Sequence, residues 1–143
     1  MAAGKEIISI LGGTGDLGGG LARRWSRAGY EIIIGSRTLA KGRVAADELL
    51  EEFPDLNVTG MENRDAADKS EIVVLTVPFS FQIGILETVK PALSGKILID
   101  VTVPLVPPKV GTVQMPEGGS AGEMAQAFLG ADVQVVSAFQ NVG

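Results

Sequence analysis

Cysteine and histidine are both absent from this chain of 143 residues. Their absence excludes disulfides, thiol chemistry, zinc sites of the Cys/His kind, and any Ser-His-Asp or Cys-His relay. Tyrosine occurs once, at Tyr30, with Ile34 four residues on. The Tyr-x-x-x-Lys pair of short-chain dehydrogenases is therefore missing. No Gly-Lys pair is followed by Ser or Thr, since Gly95-Lys96 runs into Ile97, which removes a Walker-type phosphate loop. No apolar run has the length needed to cross a bilayer, and the N-terminus lacks a charged-then-apolar signal pattern. The expectation is a cytoplasmic protein without a membrane partner. A formal net charge of −5 also argues against nucleic acid. No metal site and no side chain suited to acid–base or nucleophilic catalysis stands out. Any chemistry falls to a bound cofactor acting on a small-molecule substrate.

What is present is an alternation of apolar strands with amphipathic stretches. Residues 6–11 read as a buried strand. A helix follows with Leu17, Leu21, Trp25 and Ala28 on one stripe, closed by Gly29. Residues 30–34 form the second strand, and residues 39–52 a helix that Pro54 stops. Residues 56–61 read as a weaker strand and residues 71–77 as the most apolar one. A helix over 81–89 leads to a strand over 96–101. The four prolines between 102 and 116 require an extended loop. Ser120 and Glu123 have capping-box spacing, predicting a helix to about Leu129, and residues 132–139 supply a sixth strand. This order predicts an α/β fold: a doubly wound, Rossmann-type parallel sheet of about six strands, formed by residues 1–143 as one domain.

The first strand runs into a segment with six glycines, at 12, 13, 15, 18, 19 and 20. Within it, Gly13-Thr14-Gly15-Asp16-Leu17-Gly18 is G-x-G-x-x-G. Alone this is a weak signal; between the first strand and first helix of a βαβ unit it is a dinucleotide fingerprint. The first glycine is expected to permit the tight turn, the second to let a pyrophosphate approach the backbone, and the third to let helix pack on strand. The unpaired N–H groups and positive dipole end of the helix then face the phosphates. Gly13, Thr14, Gly15, Asp16 and Leu17 are the expected diphosphate contacts.

The second strand leads to Gly35-Ser36-Arg37, and no acid occurs between Glu31 and Asp47. The carboxylate that takes both ribose hydroxyls in NAD-binding units is thus missing. Lys41 falls in the first turn of the next helix, where a cation opposes the dipole unless an anion lies between. Ser36, Arg37 and Lys41 together suit a 2′-phosphate, which points to NADP. The other strand ends, at 76–79, 101–104 and 138–141, are apolar. Thr76, Val77 and Pro78 are expected beneath the nicotinamide, with backbone near Ala138 meeting its carboxamide. Asp100, one residue inside its strand end, reads as a loop anchor and not a base.

The stretches LGGTGDLGGGLARRW, IIIGSRTLAK, VVLTVPF and VVSAFQNV, in this order and spacing, resemble the coenzyme F420-dependent NADP oxidoreductase family nearly end to end. That resemblance implies hydride transfer between NADPH and C5 of a deazaflavin, coenzyme F420, and a homodimer. It maps the family's phosphate loop onto Thr14, Gly15 and Asp16, where Asn is common in place of Asp, and its 2′-phosphate contacts onto Ser36, Arg37 and Lys41. Gln140 stands where archaeal members carry His. Family members continue into a C-terminal helical segment that closes the deazaflavin side; this chain ends at Gly143. It is accordingly expected to be a fragment or a cofactor-binding module. Two further readings stay open: another NADPH-dependent reductase on the same domain, acting on imino acids or ferric iron, and a non-catalytic NADP-binding module.

Overall fold

The structure is a computed structural model and describes residues 5–104, 117 and 119–141. Six strands form one sheet: β1 (Ile8–Leu11), β2 (Ile32–Ser36), β3 (Val58–Glu62), β4 (Ile72–Leu75), β5 (Ile97–Asp100) and β6 (Gln134–Ser137). Their order is β3-β2-β1-β4-β5-β6, and every pair is parallel. The helices are α1 (Asp16–Arg27), α2 (Leu39–Glu52), α3 (Asn63–Lys69), α4 (Gln82–Val89) and α5 (Ala121–Leu129). A 3-10 turn, Phe79–Phe81, precedes α4. The expected doubly wound Rossmann-type sheet is therefore present. Its direction of winding reverses between β1 and β4, which opens a crevice at their carboxyl ends.

Every residue of β1 and β2 is buried, because helices cover both faces of the sheet. Alternate side chains feed two cores. On one face Ile8, Ile10, Ile32, Ile34 and Val74 pack with Leu21 and Ala22 of α1 and Ala46 of α2. On the other, Leu11, Ile33, Val73, Leu75 and Leu98 pack against Ala66 and Ala67 of α3, Leu86 and Val89 of α4, and Ala125 and Leu129 of α5. Fully burying one such aliphatic side chain contributes roughly 1.5–3 kcal/mol.

Helix α2 meets β3 backbone to backbone. A Cβ on Gly60 would lie 2.1 Å from the carbonyl carbon of Gly42, and one on Gly42 would lie 3.0 Å from Met61 O. Helix ends are satisfied locally. Thr38 caps α2, its Oγ1 accepting from Lys41 N at 3.3 Å, and Ser120 and Glu123 form the predicted capping box on α5. Gly29, with φ of 97°, closes α1. Lys96 Nζ donates to Ala67 O and Asp68 O at the end of α3, at 2.6 and 2.8 Å.

Two expectations change. Helix α3 lies between the expected strands at 56–61 and 71–77, where no element is expected. Its strand-facing side chains are Ala66 and Ala67, too small and too few to make an apolar stripe. The loop expected over 102–116 is irregular at 102–104, and its remainder lies outside the described residues.

Candidate functional site

At the crevice, β1 ends and the chain turns through Gly12, whose φ of 73° is left-handed. The turn therefore belongs to Gly12 and not, as the motif implied, to Gly13. Gly13 is required for space: a Cβ there would stand 2.9 Å from Ile10 O and 3.0 Å from Ile34 Cγ2. Gly15 is the N-cap of α1, with no side-chain cap. Its missing Cβ would meet nothing closer than Gly12 O at 3.6 Å, so the space beyond it is open. Gly18 is the close-packing glycine, since a Cβ would come within 2.6 Å of Thr76 Oγ1 and 2.8 Å of Gly13 Cα. Thr76 Oγ1 in turn donates to Leu11 O at 2.8 Å, tying the ends of β4 and β1 together.

A cleft of about 240 Å³ opens beside this loop. Ser36, Arg37 and Lys41 form one wall, Thr14 and Gly15 the end nearest α1, and Thr76, Val77 and Pro78 the facing wall. These are eight of the twelve residues expected at the site, but Thr76, Val77 and Pro78, expected beneath the nicotinamide, share instead the cleft of the 2′-phosphate candidates Ser36, Arg37 and Lys41. Arg37 and Lys41 are exposed, and neither forms an ion pair among the described residues. The first turn of α2 holds no acid. Six of the twelve Lys and Arg residues fall between Arg23 and Arg43, and they do not act as one patch. Arg23 pairs with Glu52 through both guanidinium nitrogens, and Arg23 and Arg27 lie over the Phe53 ring at 5.0 and 4.6 Å. The cations at 37 and 41 face the cleft.

Gly13, Asp16, Leu17 and Ala138 do not line this cleft. Gly13 lies beneath the loop, Asp16 is exposed at the start of α1, and Leu17 packs on the core. Ala138 N donates to Asp100 O at 3.2 Å, so its N–H is already committed. Four lining residues were not anticipated: Gly12, Asn63, Phe81 and Ile85. Phe81 is 51% exposed, and the Arg37 guanidinium sits 5.9 Å from its ring centroid, across the mouth of the cleft.

Asp100 is fully buried. Its carboxylate accepts from Gln82 Nε2 at 2.9 Å and from Thr102 N at 3.0 Å. Gln82 Nε2 also reaches Ala121 O at 2.9 Å, and Gln140 Nε2 donates to Asp100 O at 2.9 Å. The residue holds together the ends of β5 and β6 and the starts of α4 and α5, as an anchor does. Immediately after Ala138, Phe139 takes a left-handed φ of 66° and packs against Trp25 with ring centroids 5.9 Å apart. Among the described residues no cluster of acids is placed to hold a metal ion, and no helix is long and apolar enough to cross a membrane.

A parallel sheet in the order 3-2-1-4-5-6 with a glycine turn and a cleft at its switch point defines the Rossmann class. Residues 7–104 match the family described as NADP oxidoreductase, coenzyme F420-dependent; the chain belongs to that family. It is 42% identical over 141 residues to the F420-dependent NADP reductase of Methanothermobacter marburgensis, covering 94% of this chain and 63% of that protein. It is 39% identical over 142 residues to the F420-dependent NADP reductase of Methanocaldococcus jannaschii, with the same two coverages of 94% and 63%. A solved structure from Arthrobacter sp. FB24, described as a candidate F420-dependent NADP-reductase, superposes with a TM-score of 0.77 at 27% identity over 93% of this chain and 62% of that one. The chain thus spans less than two thirds of the length of each of these relatives.

Proposed function

We propose that the cleft holds the adenosine end of NADP(H) and that the protein transfers a hydride between NADPH and coenzyme F420. The observation that carries this reading is the pairing of Ser36, Arg37 and Lys41 around the acid-free start of α2, one wall of the cleft whose far end is the glycine loop. A dianionic phosphate there neutralises two cations and completes the helix dipole. Gly15 leaves the loop backbone bare where a diphosphate would pass, so the residues present fit the cofactor. The names of the relatives at 39–42% identity supply the second substrate.

When bound, the nicotinamide supplies the hydride. This chain's part is to bind and orient. The loop amides take the diphosphate, Val77 and Pro78 offer an apolar wall that sheds water, and the Asp100 anchor fixes the strand ends on which the reacting ring would rest. Cytoplasmic location and a homodimer belong to the same reading. Edge strand β6, with Val136 47% exposed, supports a covering neighbour. The test is direct. NADPH is titrated into the protein by calorimetry, and NADPH oxidation is followed with F420 as acceptor. Saturable NADPH binding with F420-dependent oxidation supports the reading; no binding at millimolar NADPH overturns it.

A further inference from the structure

Of the four lining residues that the sequence did not announce, Asn63 is the one with a polar side chain. It stands at the entry to α3, one residue beyond Glu62, which pairs with Ser36 in the β2–β3 register. This puts it in the lining of the cleft, beside the backbone that carries Ser36 and Arg37. It is only 5% exposed, yet its Oδ1 has no hydrogen-bond partner. No side-chain hydrogen bond of Asn63 occurs among the described residues. An unpaired buried acceptor costs about 1–3 kcal/mol, and native structures keep few of them. Space has been kept for it as well: a Cβ on Gly35 would stand 2.8 Å from Oδ1.

We propose that Asn63 is a binding residue for the ribose that carries the extra phosphate, its carboxamide hydrogen-bonded to the 3′-hydroxyl. This rests on the cofactor reading above. A phosphate oxygen only accepts, so it cannot satisfy Oδ1. A hydroxyl both donates and accepts and so suits either end of the carboxamide. The 3′-hydroxyl is on the carbon next to the phosphorylated one, hence beside whatever Ser36, Arg37 and Lys41 hold. With neither end of the amide fixed by a described partner, rotation about its last bond brings the needed atom to the ligand.

The test is calorimetric titration with 2′,5′-ADP, which lacks the nicotinamide half, and with its 3′-deoxy analogue. Wild type is expected to bind the 3′-deoxy ligand about tenfold more weakly. Asn63→Ala is expected to bind 2′,5′-ADP about tenfold more weakly, and to bind the 3′-deoxy ligand no worse than that, because the two deletions remove the same contact. A merely structural asparagine would give losses that multiply. Equal wild-type affinity for the two ligands, or multiplying losses, overturns the assignment while leaving the cofactor reading intact. Failure of wild type to bind 2′,5′-ADP or NADPH at all overturns both. Should Asn63→Ala fail to fold, the wild-type pair of ligands still decides.

Discussion

Replacing Arg37 by alanine removes a guanidinium that has no carboxylate partner among the described residues and one aromatic neighbour, Phe81, at 5.9 Å. The fold therefore loses at most an exposed cation–π contact, worth about 0.5–1 kcal/mol, and the melting temperature should scarcely move. The loss falls on the ligand. A charge-assisted hydrogen bond contributes roughly 1.5–3 kcal/mol, or between ten- and a hundredfold and more in affinity. Arg37 is exposed, so screening by water and salt places the expected loss toward the lower end, near tenfold, and shrinks it further as ionic strength rises. The assay is titration of wild type and Arg37→Ala with NADPH and with NADH at two salt concentrations. NADPH affinity should fall about tenfold at low salt and less at high salt, while NADH affinity stays within about twofold of wild type. Equal losses for the two nucleotides would show that Arg37 does not read the 2′-phosphate, and the reasoning from Ser36, Arg37 and Lys41 would fail with it.

Other substitutions probe the scaffold under the cleft. Gly18→Ala places a methyl 2.6 Å from Thr76 Oγ1 and 2.8 Å from Gly13 Cα. Overpacking of this kind costs about 1–3 kcal/mol, so urea denaturation should shift to lower midpoint and NADPH binding should weaken with it. Asp100→Asn turns an amide donor toward either Gln82 Nε2 or Thr102 N. The mismatch should destabilise by about 1–3 kcal/mol, whereas an unchanged pH profile of NADPH oxidation would separate an anchor from a base. Ser120→Ala removes the Oγ that accepts from Glu123 N at 3.1 Å; loss of the cap should cost about 0.5–2 kcal/mol in thermal or chemical unfolding, with nucleotide affinity unaltered.

Features written as local repeats were readable in advance. Helix α2 occupies 39–52 as expected, because Ala45, Leu49 and Phe53 recur at helical spacing and Pro54 stops it. The sheet core was readable because β1, β2 and β4 are short apolar runs. Helix α3 was not, since two alanines carry its packing. The cleft was legible only where one loop supplies it. Ser36, Arg37 and Lys41 sit within six residues of each other, and Thr76 to Pro78 are consecutive. Asn63, Phe81 and Ile85 arrive from separate elements by tertiary packing, and no spacing in the chain announces them. The glycine turn shows a subtler difference. The motif names three glycines, but the left-handed residue is Gly12, just ahead of them, because strand pairing carries through Leu11 before the chain bends.

The contact between Gly42 and Gly60 bears on how cofactor choice can change. Because Gly42 of α2 and Gly60 of β3 meet with no side chain between them, while Ala46 seats the same helix on the core, Lys41 in its first turn and Arg37 just ahead of it are carried on a fixed mount. Arg37 and Lys41 can then be exchanged for other residues without disturbing how the helix sits. On the cofactor reading proposed above, a lineage, or an engineer, is free to trade one nicotinamide cofactor for the other at those two positions while the rest of the machinery keeps its alignment. Adding a single methyl group at the mount, by contrast, would shift both cations at once.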